Sequence, residues 1–465
     1  MEERPLMKRK EEYQAMCRTQ SRENVQSGVL RLRQLAQKDK TVKFTALLHH
    51  VTPERLKESF YSLKRKATPG IDGITWAVYE RDLEANVKEL HSRIHKGSYC
   101  ARPTLEKSIS KPDGGSRKIG LNCVEDKIVQ HAVMEVLSAI YESDFLGFSY
   151  GFRAGRSCHD ALDALAVGIS RKKVNWVLDV DIQGFYDTLS HQWIRRFLQH
   201  RIADKRVLRI IDKWLEAGVT RQGKWESLEQ GVGQGSVISP LLSNIYLHYV
   251  FDLWVQQYRK KRAKGDVIVV RYGDDIALGF EHKGEAEAFL EKLKQRFAQF
   301  QLQLHPKKTK LVRFGRFADE QCKKLGIRKP GTFEFLGFTH ICTRTYPNRH
   351  FAVKRITAKK RMCRALKAIK ETLMQRRHEP IPVIGEWIKS SVQGYFNYHA
   401  VPGNIDLLSN FRREVSRYWL KALRRRSQRH NMNWEKYGKL SDLYIPTPKR
   451  LHDYPYKRFD AKYAS

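Results

Sequence analysis

Apolar and polar positions along this chain switch between a helical period and a strand period, and the switches outline its elements. From about Gln20 to Lys66 apolar residues such as Val29, Leu32 and Leu35 recur at helical spacing, with Pro53 marking a break or a new helix start. Ala67-Thr68-Pro69-Gly70-Ile71-Asp72-Gly73 is a turn-rich break, and another helix is predicted from about Thr75 to His95. Residues 100–120 read as a basic hairpin turning at Pro112-Asp113-Gly114-Gly115. From Val174 to Ile182 the period is two: Val174, Trp176, Leu178, Val180 and Ile182 share one face, Asp179 and Asp181 the other. In Asp266 to Phe280 the apolar run Val267 to Val270 enters Tyr272-Gly273-Asp274-Asp275 and leaves through Ile276 to Leu278. That pattern is a hairpin with two carboxylates at its tip. A helix is predicted over Glu285 to Phe300.

Beyond about Lys354 the pattern becomes helical and basic. Arg355 to Arg377 holds nine Lys or Arg against one acid, with Met362, Leu366, Ile369 and Leu373 along one face. Helices from about Val383 to His399 and Ile405 to Arg426 complete a small helical domain. The Pro-, Lys- and Tyr-rich stretch Pro446 to Ser465 is expected to lie on the surface as a tail.

Charge narrows the partners. The 465 residues carry 87 Lys plus Arg against 50 Asp plus Glu, a formal charge of +37. Such a surplus repels itself unless a polyanion neutralises it, so nucleic acid comes first and an anionic membrane second. The seven cysteines form no CxxC pair, which speaks against a zinc ribbon and for reduced thiols in a cytosolic protein. No signal peptide is visible behind the charged start, and no run approaches 18 apolar residues. The expectation is a soluble, cytoplasmic protein with no membrane partner.

The chemistry concentrates in three aspartates. Adjacent carboxylates at a hairpin tip repel each other, and Mg2+ would reconcile them because it prefers hard oxygen ligands and leaves room for phosphates. Two such ions can clamp the attacking and leaving oxygens of an in-line displacement. Acidic pairs at hairpin turns are, however, commonly solvated turn residues. Nothing in the spacing brings Asp181, more than ninety residues upstream, to Asp274 and Asp275.

Resemblance supplies that link. Tyr272-Gly273-Asp274-Asp275 resembles the signature hairpin of reverse transcriptases and viral RNA polymerases. Asp181-Ile182-Gln183-Gly184-Phe185-Tyr186-Asp187 is similar to the first catalytic motif of group II intron reverse transcriptases. Gln230-Gly231-Val232-Gly233-Gln234-Gly235-Ser236-Val237-Ile238-Ser239-Pro240-Leu241-Leu242-Ser243-Asn244-Ile245-Tyr246-Leu247 resembles their next motif. Phe148-Ser149-Tyr150-Gly151-Phe152-Arg153, His305-Pro306-Lys307-Lys308-Thr309-Lys310 and Phe335-Leu336-Gly337-Phe338 follow the family's order across residues 60–345.

The resemblance implies an RNA-directed DNA polymerase that also acts as a maturase. Asp181, Asp274 and the carbonyl of Ile182 would hold two Mg2+ ions (with Mn2+ as a substitute), with Asp275 completing the acidic cluster. Gln234 and Gly235 would line the template and incoming nucleotide, glycine allowing close backbone approach. Lys111 and Arg117 would contact the triphosphate, and Lys308 or Lys310 would sit near the nucleotide as proton donor. Tyr186, five residues after Asp181, would exclude a ribose 2′-hydroxyl and select deoxynucleotides. Gly273 and Gly233 stand where the family usually has alanine and proline, from which altered backbone flexibility is expected.

The implied fold is α+β, a right-hand polymerase: fingers, a palm with an antiparallel sheet, then a helical thumb. The expected domains are an N-terminal helical extension (1–60), fingers and palm (61–350), thumb and maturase (351–440) and a basic C-terminal tail (441–465). In the thumb, Lys359, Lys360, Arg364 and Lys367 would meet phosphates. Ile384-Gly385-Glu386-Trp387-Ile388-Lys389, Gly394-Tyr395-Phe396-Asn397-Tyr398-His399 and the stretch from Phe411 to Arg426 resemble the maturase region, which in the family recognises structured intron RNA. Core packing is the better reading for at least two of Tyr395, Phe396 and Tyr398. With no cysteine beyond Cys363, an endonuclease domain is not expected. The implied partners are group II intron RNA, an RNA template with a DNA primer, dNTPs and a target DNA for retrohoming. The alternatives are an RNA-binding splicing factor without polymerase activity and a host-adopted reverse transcriptase in DNA repair or phage defence. An RNA-dependent RNA polymerase is disfavoured by Tyr186.

Overall fold

The computed structural model describes residues 27–110, 116–345, 347, 349–426 and 432–463. Its strands are β1 (Thr104–Ser110), β2 (Ser116–Leu121), β3 (Trp176–Val180), β4 (Val219–Arg221), β5 (Lys224–Glu226), β6 (Val267–Tyr272), β7 (Asp275–Phe280), β8 (Lys310–Arg313), β9 (Phe333–Phe335), β10 (Phe338–Arg344) and β11 (Phe351–Thr357). Helices occupy most of the rest, so the chain is mixed α and β, and it divides into two compact units.

One unit comprises the residues up to Ala154, Ile182–Lys261 and Lys292–Leu304. The predicted basic hairpin forms as β1 and β2, in a sheet ordered β2-β1-β4-β5; its Pro112–Gly115 turn lies outside the described residues. The helix Val124–Tyr141 is the core of this unit, because Ile128, Val129, Val133 and Leu137 are all buried along it. The N-terminal stretch is broken rather than one long helix. Residues 27–38 are helical, Leu48–His50 form a single 3-10 turn, and Pro53 opens the helix Pro53–Ser62 capped by Thr52. The helix predicted near Thr75 divides at Asp82 into Trp76–Arg81 and Leu83–Lys96.

The other unit comprises Gly155–Asp181, Arg262–Glu291 and His305 onward. Its central sheet is antiparallel, ordered β6-β7-β3-β8. β3 is shorter than Val174 to Ile182, and Val177 is as buried as Leu178, so both faces of this strand are packed rather than one. A second sheet runs β11-β10-β9. Here Arg355 corrects the expectation that it begins the basic helix. It lies in β11 paired with His340, and the helix starts at Lys359. The helices Lys359–Gln375, Ile381–His399, Ile405–Arg424 and Trp434–Tyr444 close around Leu366, Ile369, Leu373, Phe396, Phe411 and Trp419. Tyr395 stacks on Phe411 at 3.8 Å, and Tyr398 donates its hydroxyl to the Leu336 carbonyl at 2.7 Å. These aromatics therefore pack, as their spacing favoured. Lys359, Lys360, Arg364 and Lys367 are exposed.

The C-terminal stretch is not a free tail. It forms the helix Pro455–Tyr463, which returns to the helix Cys158–Arg171. Arg171 clamps Asp460 through two bonds of 2.8 and 2.6 Å, and the Lys462 ammonium reaches Asp160 at 2.6 Å. Asp163, fully buried, faces Arg355 at 2.7 Å and Arg458 at 3.1 Å. The sequence pattern missed this because the docking is charge pairing between distant segments, which leaves no apolar periodicity.

Two outcomes follow for stability. Asp163→Ala leaves Arg355 buried and unpaired, and denaturant unfolding should record a loss of about 3–5 kcal/mol. His159, His340 and His399 are held neutral by burial, next by a neighbouring basic side chain (the His452 imidazole beside His159, Arg355 beside His340, Arg361 beside His399), down to about 3 in each case. Their folded values lie below the unfolded one, so the stability they contribute is present above about pH 6.5 and is lost as pH falls toward 3. Thermal melts across that range should show the decline, and His340→Phe should flatten it.

Candidate active site

The register of the central sheet brings the aspartates together. Asp179 pairs with Ala277 on one side and Lys310 on the other, and Val180 pairs with Ile276. One further step sets Asp181 level with Asp275. Residues two apart share a face, so Asp179, Asp181, Asp275 and Lys310 all lie on the same face of the sheet. Asp274 sits in the turn between β6 and β7, where Tyr272 pairs with Asp275 and two residues make the connection. Gly273 takes φ +64° there. A two-residue hairpin needs positive φ at this first position, which glycine adopts without strain and alanine does not. The departure from the family's alanine is thus a relaxed turn rather than a looser one.

The electrostatics follow from that crowding. Asp275 reaches solvent, yet surrounding protein strips much of its hydration; that loss, then Asp274 and Asp181, pushes its carboxyl up to about 7. Asp179 is likewise raised to about 7, first by burial, then by Asp275 and Asp181, with Lys310 opposing. The Lys308 ammonium stands 3.4 Å from the Asp181 carboxylate. Spacing alone did not separate the two lysines; the structure sets Lys308 against Asp181 and Lys310 against Asp179. The backbone of Asp181 is clamped from the loop before β8: its carbonyl accepts the His305 amide at 2.8 Å, and its amide donates to the Thr309 hydroxyl at 3.3 Å.

These donors suit a magnesium ion. They are hard carboxylate oxygens whose mutual repulsion a divalent cation would relieve. Among the described residues no three His, Cys, Asp or Glu side chains close into a ready-made cage. Mg2+ tolerates that, since it usually keeps waters and takes substrate phosphates as ligands.

The remaining nucleotide-site candidates lie in the other unit. Ile182 is buried and bridges to Leu304. Phe185 is buried while Tyr186 is half-exposed, so Phe185 fills the core and Tyr186 does not. The Tyr186 carbonyl accepts the Val232 amide at 2.8 Å, and Leu189 accepts that of Gly231 at 2.7 Å. Gln234 donates its side-chain amide to Asp187 at 3.4 Å, and its carbonyl accepts the Gly120 amide at 2.6 Å. Gly235 has φ +113°, and a β-carbon there would meet the Gly120 oxygen at 2.7 Å. Glycine is thus required for approach to β2. Gln234, Asp187, Lys118 and Arg221 line one cavity of about 280 Å³. Arg117 is placed by its backbone in β2, opposite Ile109, and Lys111 lies outside the described residues. Sequence reasoning passed over Asp179, Thr309 and Asp187. Asp179 was legible from its alternation with Asp181, but Thr309 acts through its hydroxyl on a distant backbone and left no signal.

Among the described residues no helix is long and apolar enough to cross a membrane. Residues 109–340 match the family model described as reverse transcriptase (RNA-dependent DNA polymerase). The chain is 32% identical to protein YkfC of Escherichia coli, over 49% of this chain and 62% of that protein. It is 32% identical to the group II intron-encoded protein LtrA of Lactococcus lactis, over 44% of this chain and 33% of that one. A 91 kDa protein in the cob intron of Schizosaccharomyces pombe is 39% identical over 30% of this chain and 17% of its own. The chain thus spans less than two thirds of each of these relatives. With the paired aspartates of the hairpin brought level with Asp181 inside the matched span, and with intron-encoded proteins among its relatives, the chain belongs to the reverse transcriptase family, among those of group II introns.

Proposed function

We propose that this protein copies RNA into DNA by two-metal nucleotidyl transfer in a right-hand arrangement of fingers, palm and thumb. It would also bind its group II intron RNA as a maturase to promote splicing and retrohoming into a target DNA. The observation that carries the reading is the shared face of Asp179, Asp181 and Asp275, beside the turn that holds Asp274. The crowding that pushes the Asp179 and Asp275 carboxyls up to about 7 supports a cation at this surface.

Asp181, Asp274 and the Ile182 carbonyl would hold the two Mg2+ ions, with Asp275 completing the cluster. Bound there, they supply neutralisation of the triphosphate and of charge developing in the displacement. The protein's part is orientation. His305 and Thr309 fix the Asp181 backbone, so the carboxylate has little freedom to turn away. Lys308 is our choice for protonating the departing pyrophosphate, on the strength of its 3.4 Å contact with Asp181. Gln234, steadied by Asp187, and Gly235 would face template and nucleotide, with Lys111 and Arg117 on the triphosphate. Tyr186 would close the space beside the sugar's 2′ position. The exposed Lys359, Lys360, Arg364 and Lys367 would take RNA phosphates.

Extension of a DNA primer on an RNA template with Mg2+ tests this directly. The wild type should extend with deoxynucleotides, and Asp274→Ala should fall below detection while still binding intron RNA in a filter assay. No extension by the wild type would overturn the polymerase reading and favour an RNA-binding splicing factor. Tyr186→Val should raise ribonucleotide incorporation at least about tenfold, the equivalent of removing roughly 1.4 kcal/mol of steric penalty. Unchanged sugar selectivity in a competition assay would remove Tyr186 from that role.

A further inference from the structure

The segment that carries Gln234 runs beside two cavities. Gly231, Val232 and Gly233 line the cavity of about 280 Å³ that also holds Gln234, and they line a second cavity of about 40 Å³ as well. A stretch with voids against it lacks the close packing that ordinarily fixes a backbone. On those sides its position depends on hydrogen bonds.

Three of those bonds are backbone ties to the turn after β3 and to β2, described above. The His191 ring adds a bond to the Gly231 carbonyl at 2.7 Å, and on the far side of Gln234 the anchor is again a side chain. Gln130, on the helix Val124–Tyr141, is only 1% exposed, and its side-chain oxygen accepts from the Ser236 hydroxyl at 2.7 Å and the Val237 amide at 3.0 Å. It lines the smaller cavity with Asp126 and Asn122. Asn122 is also buried, and its side-chain amide donates instead to the Thr104 hydroxyl at 3.0 Å. Ser236 and Val237 directly follow Gln234 and Gly235.

We propose that Gln130 is a positioning residue for nucleotide selection: by holding Ser236 and Val237 it sets where Gln234 and Gly235 present themselves to the incoming deoxynucleotide. The inference rests on the polymerase reading above. Removing the acceptor leaves two half-buried donors without this partner, and the segment can then shift toward either void.

Gln130→Met keeps the length and removes the acceptor. It should raise KM for deoxynucleotides about tenfold while kcat stays within about twofold, and it should speed hydrogen exchange at the Val237 amide. Ser236→Ala removes one of the two bonds and should give a smaller KM change in the same direction. The double variant should be no worse than Gln130→Met alone, since both act through one contact. If Gln130→Met fails to fold, Ser236→Ala carries the test. Equal loss of kcat and kcat/KM, or faster exchange with KM unchanged, would overturn the proposal and leave Gln130 as a packing residue. A wild type that extends no primer overturns the polymerase reading instead; the exchange rate then judges the Gln130 tie alone, and an unchanged Val237 rate sinks it.

Discussion

Everything at the candidate site depends on one constraint, the repulsion among carboxylates that the central sheet forces onto a single face. β3 lies between β7 and β8, and antiparallel register leaves no choice about which residues stand abreast. A register slip of one residue would turn Asp179 and Asp181 to the opposite face and scatter the cluster. Burial of Leu178 and Val180 opposes such a slip, because it would drive the two carboxylates into the apolar face those side chains now fill. The hydrophobic effect therefore holds in place an arrangement that electrostatics alone would disperse.

The surrounding elements answer that repulsion. Lys308 and Lys310 each face one aspartate, and the loop from His305 grips the Asp181 backbone. The lysines do not cancel the cluster, since Asp179 and Asp275 remain pushed up to about 7. A site neutralised by its own cations would have no call for a metal. One left partly uncompensated favours a divalent ion when a substrate brings phosphates to complete the coordination.

Much of this was legible in the chain. The alternation before Asp181 and the apolar runs flanking Asp274 and Asp275 mark their strands, because the order of apolar and polar residues is a local signal. The basic helix after Lys359 was readable from Leu366, Ile369 and Leu373 for the same reason. What stayed hidden depends on distant partners. Arg355 looks like one more cation of a basic helix until β10 pairs with it and Asp163 receives its charge. Pro446 to Tyr463 looks like a solvated tail until Asp160 and Asp163 meet its cations. The approach of Asp181 to Asp275 belongs with these, since no spacing rule spans more than ninety residues.

The distribution of acids explains how a chain of charge +37 stays folded. Many carboxylates are turned inward onto structural partners. Glu142 holds the buried Arg153, Asp163 holds Arg355 and Arg458, and Asp204 accepts backbone amides from Leu47, Leu48, Arg206 and Val207. Each such pairing stabilises the interior but leaves fewer acids to offset surface lysine and arginine. The helix Lys359–Gln375 illustrates the result, with Lys359, Lys360, Arg364 and Lys367 all exposed and Glu371 its one acid. Repulsion along such a face weakens when phosphates replace the small counterions around it, and release of those counterions favours binding entropically. The internal use of acids and the affinity expected for a polyanion are thus one charge distribution seen from inside and from outside.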